Sequence, residues 1–287
     1  MSAVLLPLVN GLSQAMLLFL IASGLTLVFG VLGILNFSHG AFFMIGAYVG
    51  YSLIQGQDLS IGYFFLVVVL AGIAVGLLGM LIEVIVLRRI YKVDEIFALI
   101  ATFAVLLILE GGAHQIWGAN YLSVSFPQGL EGGLNFFDMV IPAYSITVIV
   151  IGLVIGAIIY FTLQKTSFGK LIRAAAADAK MTNALGVNVP MIYTSVFIAG
   201  AFLAGVAGLI AAPTTVLTPT LGMTFIIQAF GAVVVGGLGS IPGALVASVV
   251  LSLIDSYLTS FVPSFAGVAF FFGMVIMLMI KPKGILA

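Results

Sequence analysis

The chain has 287 residues, of which 63% are hydrophobic and 6% charged, with nine Lys and Arg balancing nine Asp and Glu. A soluble domain is roughly a quarter charged, and no soluble fold of this length hides so much apolar surface, so composition excludes a soluble globular protein. Cysteine is absent, which removes disulfides and thiolate metal sites.

A helical span needs about 20 apolar residues. In chain order, the segments that meet or approach this length are 5–35, 41–54, 61–87, 96–117, 139–163, 191–212, 225–235, 244–261 and 265–280. No Lys or Arg precedes the first run, and that run is long, so it reads as a span and not as a cleaved signal peptide. Runs this long are not barrel strands, and only helices or closed barrels satisfy the backbone in lipid. The predicted fold is therefore an all-α integral membrane protein, a single polytopic helical bundle of eight or nine transmembrane segments. Segments 41–54 and 225–235 are short, and each is a tilted span, a half-helix or a re-entrant piece.

All nine basic residues fall in three clusters: Arg88, Arg89 and Lys92; Lys165, Lys170, Arg173 and Lys180; Lys281 and Lys283. The positive-inside rule puts all three in the cytoplasm. The loop 118–138, which has no Lys or Arg, is then outside. Parity requires 225–235 to cross and leaves the C-terminus cytoplasmic. The N-terminus is outside if 41–54 crosses and inside if it is re-entrant. Glycines spaced for close helix contact recur at Gly72 and Gly76, Gly152 and Gly156, and Gly200 and Gly205. Small residues at such spacing serve general helix packing in lipid.

Two breaks look alike: "GILNFSHGA" at 33–41 and "GLGSIPGA" at 237–244. Gly33 and Gly40 are seven apart, as are Gly236 and Gly243. Paired helix breaks in corresponding positions mark the transport path of repeat-built transporters, whereas chance likeness between two Gly-rich turns is the alternative. Asn36, Ser38, His39, Gly237 and Ser240 are accordingly candidates for a translocation path or its gate, and turn chemistry is the competing account of them.

Chemical motifs are scarce. No G-x-x-x-x-G-K-[ST] occurs, so no P-loop binds a nucleotide, and neither H-E-x-x-H nor G-x-S-x-G is present. Glu110 and His114 share one helix face and form either a proton relay or substrate contact, or a local pair at the outer end of a span. Asp255 sits in mid-segment, where an ionisable residue is a functional candidate; satisfaction by Ser252, Ser256 or Thr259 on its own helix is the alternative. Glu83 lies within reach of Arg88 and Arg89. No graded chain of carboxylates is visible, which weakens a proton- or sodium-driven carrier.

Segment 165–190, "KTSFGKLIRAAAADAKMTNALGVNVP", carries four of the nine basic residues. Ser167 is placed to cap a helix, "KLIRAAAADAKMTNAL" is rich in strong helix formers, and Gly186 and Pro190 provide the stop. The expected helix spans 168–185 and is about 27 Å long. It is either a surface helix on lipid or a docking element for a cytoplasmic partner.

This segment resembles the cytoplasmic loop of ABC importer permeases, in which a short helix ending at a glycine seats in a groove of the ATPase. The widespread pattern there is Glu-Ala-Ala, three residues, then Gly. Before Gly186 this chain has Lys180, Met181 and Thr182 at those positions. A fuller resemblance, to the branched-chain amino acid permease family of the LivH type, covers nearly the whole chain. It is carried by "GLTLVFGVLGILNFSHGAFFMIGAY" (24–48), "TSFGKLIRAAAADAKMTNALGVNV" (166–189), "GAVVVGGLGSIPGALV" (231–246) and "KPKGIL" (281–286). The resemblance implies a non-enzymatic permease subunit in the cytoplasmic membrane of a bacterium or archaeon. It implies a second homologous permease, two cytoplasmic ATP-binding subunits and an extracytoplasmic substrate-binding protein as partners, beside the lipid bilayer and with no nucleic acid. The chain itself would hold no cofactor, ATP being used by the partners. Arg173, Asp178, Leu185 and Gly186 would be coupling-helix residues. The transported solute would be a branched-chain amino acid or a related small amide. The rival class is a stand-alone ion-coupled secondary transporter or channel.

Overall fold

A computed structural model describes residues 2–91, 95–136 and 139–286. Lys92 of the first basic cluster, and Asp138 at the end of the predicted outer loop, lie outside the described residues. The helices are α1 (Ser2–Leu32), α2 (Ser38–Ile54), α3 (Ile61–Ile85), α4 (Glu95–Trp117), α5 (Ala143–Lys165), α6 (Ser167–Ala177), α7 (Ala179–Ala184), α8 (Val189–Ala211), α9 (Leu221–Gly236), α10 (Ile241–Phe261) and α11 (Ala269–Ile280). Six of them, α1, α3, α4, α5, α8 and α10, are long and apolar enough to cross a membrane. The loop between α4 and α5 folds back as an antiparallel hairpin, β1 (Gly133–Phe136) and β2 (Met139–Pro142). Thus 139–142 is strand, not the start of a span, and α5 begins one residue after Pro142, which cannot continue a helix upstream.

Side-chain contacts fix the two ends of the bundle. At one end Arg88 donates to Thr194 at the start of α8, α6 lies beside the α9–α10 turn, and the Ile285 amide donates to Val235. All described Lys and Arg residues belong to this basic end. At the opposite end Tyr257 donates to the Val4 carbonyl, Trp117 to Ser52 and Tyr144 to the Ile210 carbonyl. The described helices other than α6 and α7 therefore make nine passes between the two ends. The α1 N-terminus lies opposite the basic end.

Two of those passes are incomplete helices. After α1 the chain runs back inward, and α2 begins beside Ile21, where His39 meets the Ile21 carbonyl. That point is eleven residues inside the end of α1, or about 16 Å. After α8 the chain turns at 212–220, and α9 begins beside α2. The two starts touch through Gly40 and Gly222, each with its Cα against the other's carbonyl. Gly24 and Gly200 make the same reciprocal contact between α1 and α8: a Cβ on Gly24 would fall 2.7 Å from the Gly200 oxygen, and one on Gly200 3.0 Å from that of Gly24. The most extensive pairings are α1 with α10 and α3 with α8. Such reciprocity defines an inverted repeat, with α1–α4 answering α8–α11 in the opposite direction and α5 outside it.

This corrects the pairing of breaks expected from sequence. The partner of 33–37 is 212–220, not 237–244. The Gly-rich turn at 237–240 answers 55–60 between α2 and α3: Gly237 and Gly56 both have positive φ, and Ser240 and Ser60 each cap the next helix.

Gly72 and Gly76 lie against Phe202, Val206 and Ile198 of α8, and Gly152 and Gly156 against Met16 and Phe19 of α1. The core is the surface shared by α1, α2, α3 and α8, where the backbones come close enough for dispersion to replace the missing hydrophobic drive.

Candidate functional site

The segment that follows α5 is two helices, not the single helix expected over 168–185. Thr166, not Ser167, caps α6, accepting from the Gly169 amide at 3.1 Å. The helix then stops at Asp178, whose backbone is extended (φ −153°, ψ 97°). Its amide still bonds the Ala174 carbonyl, while its carboxylate accepts from Met181 at 2.9 Å and starts α7. Aspartate competes with a helix interior by this very capping bond, so one acidic residue in an Ala-rich run turns a rod into an elbow. Gly186 ends α7 with φ +87°, a conformation that costs glycine nothing. Leu185 just before it is 77% exposed. Asn188 caps α8 through the Met191 amide, with Pro190 in the first turn.

Ile172 and Ala175 bury the inner face of α6. Arg173 donates to the Leu163 carbonyl at the end of α5. It also lines a cleft of about 190 Å³ together with Thr26 and Gly30 of α1, Tyr160 and Gln164 of α5, and Gly239, Ser240 and Pro242 of the α9–α10 turn. Two sequence candidates of separate kinds, Arg173 and Ser240, thus share one cleft. Gly237 lies under the C-terminal tail, against Gly284. Asp178, Leu185 and Gly186 stand apart at the exposed elbow.

Asn36, Ser38 and His39 form a different cluster, fully buried at the start of α2. The Asn36 carboxamide oxygen accepts from both the Ser38 amide, at 3.1 Å, and the Ser38 hydroxyl. His39 Nε2 lies 3.1 Å from the Ile21 oxygen, which only accepts, so Nε2 carries a proton there, and Gly24 leaves room for the ring. Asn36 Nδ2 and His39 Nδ1 have no protein partner.

The ionisable groups separate as well. Glu83 is fully buried and receives Arg88 at 3.0 Å, Thr194 at 2.9 Å and Tyr91 at 3.1 Å. Burial, and then the Glu83 charge, push the Tyr91 phenol up from its usual value. This cluster ties α3 to α8 next to the elbow. Glu110 does not pair with His114: its carboxylate accepts from the Met223 amide in the first turn of α9, at 3.3 Å. Asp255 is met by Gln14 of α1 and by the Phe270 amide, not by its own helix, since Ser256 donates to the Pro7 carbonyl instead. Asn10, Gln14 and Gln228 escaped sequence reasoning, and the legible signal was Asn10 and Gln14, four apart on one face of an otherwise apolar span.

A bundle of apolar helices built as an inverted repeat, with broken passes that meet inside it, is a multi-span membrane protein of the architecture many transporters share. A family model described as branched-chain amino acid transport system / permease component matches residues 8–280. The chain is 31% identical to the high-affinity branched-chain amino acid transport system permease protein BraD of Pseudomonas aeruginosa, over 97% of this chain and 94% of that one. It is 28% identical to the LivH permease protein of Escherichia coli K12, over 96% and 93%. It is 32% identical to a probable LivH permease of Methanocaldococcus jannaschii, over 92% and 84%. The chain belongs to the branched-chain amino acid transport permease family.

Proposed function

We propose that this chain is one membrane-spanning subunit of an ATP-binding-cassette importer that carries branched-chain or similar hydrophobic amino acids across the cytoplasmic membrane by alternating access. The importer would join it to a second permease, two cytoplasmic ATPases and an extracytoplasmic binding protein. The observation that carries this reading is the α6–α7 elbow. It projects at the basic end, carries no P-loop of its own, and is rooted in α1, α5 and α8 through Ile172 and Arg173. A push on the elbow would travel into the α1–α5 and α9–α10 cleft, so a motor on another chain can move it. Arg173, Asp178, Leu185 and Gly186 are the residues through which that push enters. The buried start of α2, at Asn36, Ser38 and His39, and the turn at Gly237 and Ser240 are the parts whose rearrangement would open the path. With the basic end cytoplasmic, the C-terminus is cytoplasmic and the N-terminus outside.

Co-purification from native membranes should recover two ATPases and a second permease, and proteoliposomes holding the full complex should take up leucine only with ATP inside. Uptake by this chain alone, abolished by collapsing an ion gradient, would sink the reading in favour of a secondary carrier.

A further inference from the structure

The end of the bundle opposite the elbow holds a polar cleft that packing does not require. Asn10 and Gln14 of α1 face Asp255, Ser256 and Thr259 of α10 across about 320 Å³. The same Asn10 and Gln14 also line a second cleft of about 330 Å³, which runs inward past Thr214 to Gln228 and Phe225 of α9. Phe225 stacks on Phe43 of α2, ring centres 4.2 Å apart, next to the meeting of the two half-helices. Polar lining therefore runs from that end of the bundle in to Gln228, with the Phe225–Phe43 stack between it and the junction.

Asp255 makes this more than a wet groove. Gln14 and the Phe270 amide face its carboxylate, and Oδ1 has no partner. Every described Lys and Arg lies at the basic end, so none of them reaches Asp255. An ionisable side chain facing a polar cleft of a membrane bundle without a Lys or Arg partner is a candidate to receive a cationic group. Carboxamide groups of Asn10 and Gln14 can donate to a second carboxylate. Leu17, Leu18 and Phe225 supply the apolar wall.

We propose that this cleft is an entry site for a hydrophobic α-amino acid, with Asp255 receiving its ammonium group and the Asn10 and Gln14 carboxamides its carboxylate. The proposal rests on the importer reading above, and deepens it by placing recognition of the zwitterion in the permease itself.

The test is ATP-driven leucine uptake by the complete complex in proteoliposomes, with the binding protein and stimulated ATP hydrolysis measured alongside. A charge-assisted hydrogen bond is worth about a tenfold change or more in affinity. Asp255→Asn should therefore lower uptake about tenfold or more while ATP hydrolysis continues, and Asp255→Glu should restore most of it. Wild-type uptake in Asp255→Asn overturns the proposal. Uptake driven by a pH gradient without ATP, and lost in Asp255→Asn, also overturns it, because Asp255 then carries a proton. If Asp255→Asn does not assemble, Asn10→Leu and Gln14→Leu decide: reduced uptake in both supports the site, and normal uptake in both overturns it. A wild-type complex that takes up no amino acid refutes the importer reading instead, whatever the variants do.

Discussion

The half-helices α2 and α9 occupy equivalent places in the inverted repeat, yet their starts are held by different chemistry. At α2 the Phe37 amide donates to Thr102 at 3.2 Å and the Ser38 amide to Asn36. Both acceptors are neutral, and α2 is buried along most of its length. At α9 the Met223 amide donates to the carboxylate of Glu110, while Phe225 and Gln228 turn toward the polar cleft. Thr102 and Glu110 both come from α4, so one helix of the first repeat anchors the breaks of both. A neutral cap suits a start sealed in apolar surroundings, where a charge would be costly. A carboxylate suits a start beside a polar cleft, where it also balances the helix dipole. The repeat thus supplies the shape twice, held at one start by a hydroxyl and a carboxamide and at the other by a carboxylate.

The most severe way to break this relation is to separate the two starts. A Cβ at Gly40 would overlap the Gly222 carbonyl, which is backbone and cannot swing aside. Overpacking costs about 1–3 kcal/mol where side chains yield, so Gly40→Val should cost about 3 kcal/mol or more. Thermal unfolding in lipid nanodiscs would read this as a large drop in midpoint. Gly62→Ala is the control, because nothing lies within 4 Å of its Cβ position; an equal drop there would refute the close-contact account.

The next effects compare the anchors directly. Glu110→Ala removes a charge-assisted bond worth about 1.5–3 kcal/mol, and Thr102→Val a neutral one worth about 1 kcal/mol. Hydrogen exchange at the first amides of α2 and α9 should rise locally, more at α9 in Glu110→Ala than at α2 in Thr102→Val. Equal rises would remove the distinction between a neutral and a charged hold. Arg88→Met falls in the same range: Glu83 would keep Thr194 and Tyr91 but lose its cation, and α3 should loosen from α8.

The helical bundle was legible, and its passes to within one, because hydropathy and clustered basic residues report lipid and side directly; whether 41–54 crosses was not. The Glu83–Arg88 pair was legible because it is local. What could not be read was long-range. Gly40 meets Gly222, and Glu110 meets Met223, only once the repeat folds on itself, so of the two readings of the likeness between 33–41 and 237–244, chance likeness is the one that holds. His114 is one helical turn from Glu110, yet the carboxylate caps another helix, since a buried amide at a helix start is the more demanding partner. The elbow failed for a subtler reason. Ala-rich propensity outvotes one aspartate when summed over the segment, but Asp178 acts through a single capping bond that a sum does not weigh.

That bond gives an effect on stability as small as that of Thr102, and the clearest reading of the elbow. Asp178→Ala removes a cap worth about 1 kcal/mol and puts the best helix former at the bend. The variant should run α6 and α7 together into one straight helix without unfolding the bundle. Asp178→Asn keeps an acceptor for the Met181 amide and keeps the bend. If the bend sets the angle at which an ATPase grips α7, Asp178→Ala should lower ATP-driven leucine uptake severalfold with little change in thermal midpoint, and Asp178→Asn should leave uptake near wild type. Equal loss in both variants would instead mean that the carboxylate contacts the partner by its charge. The Asp178 carboxylate would then be the gripping group, and the geometry of α7 would be incidental.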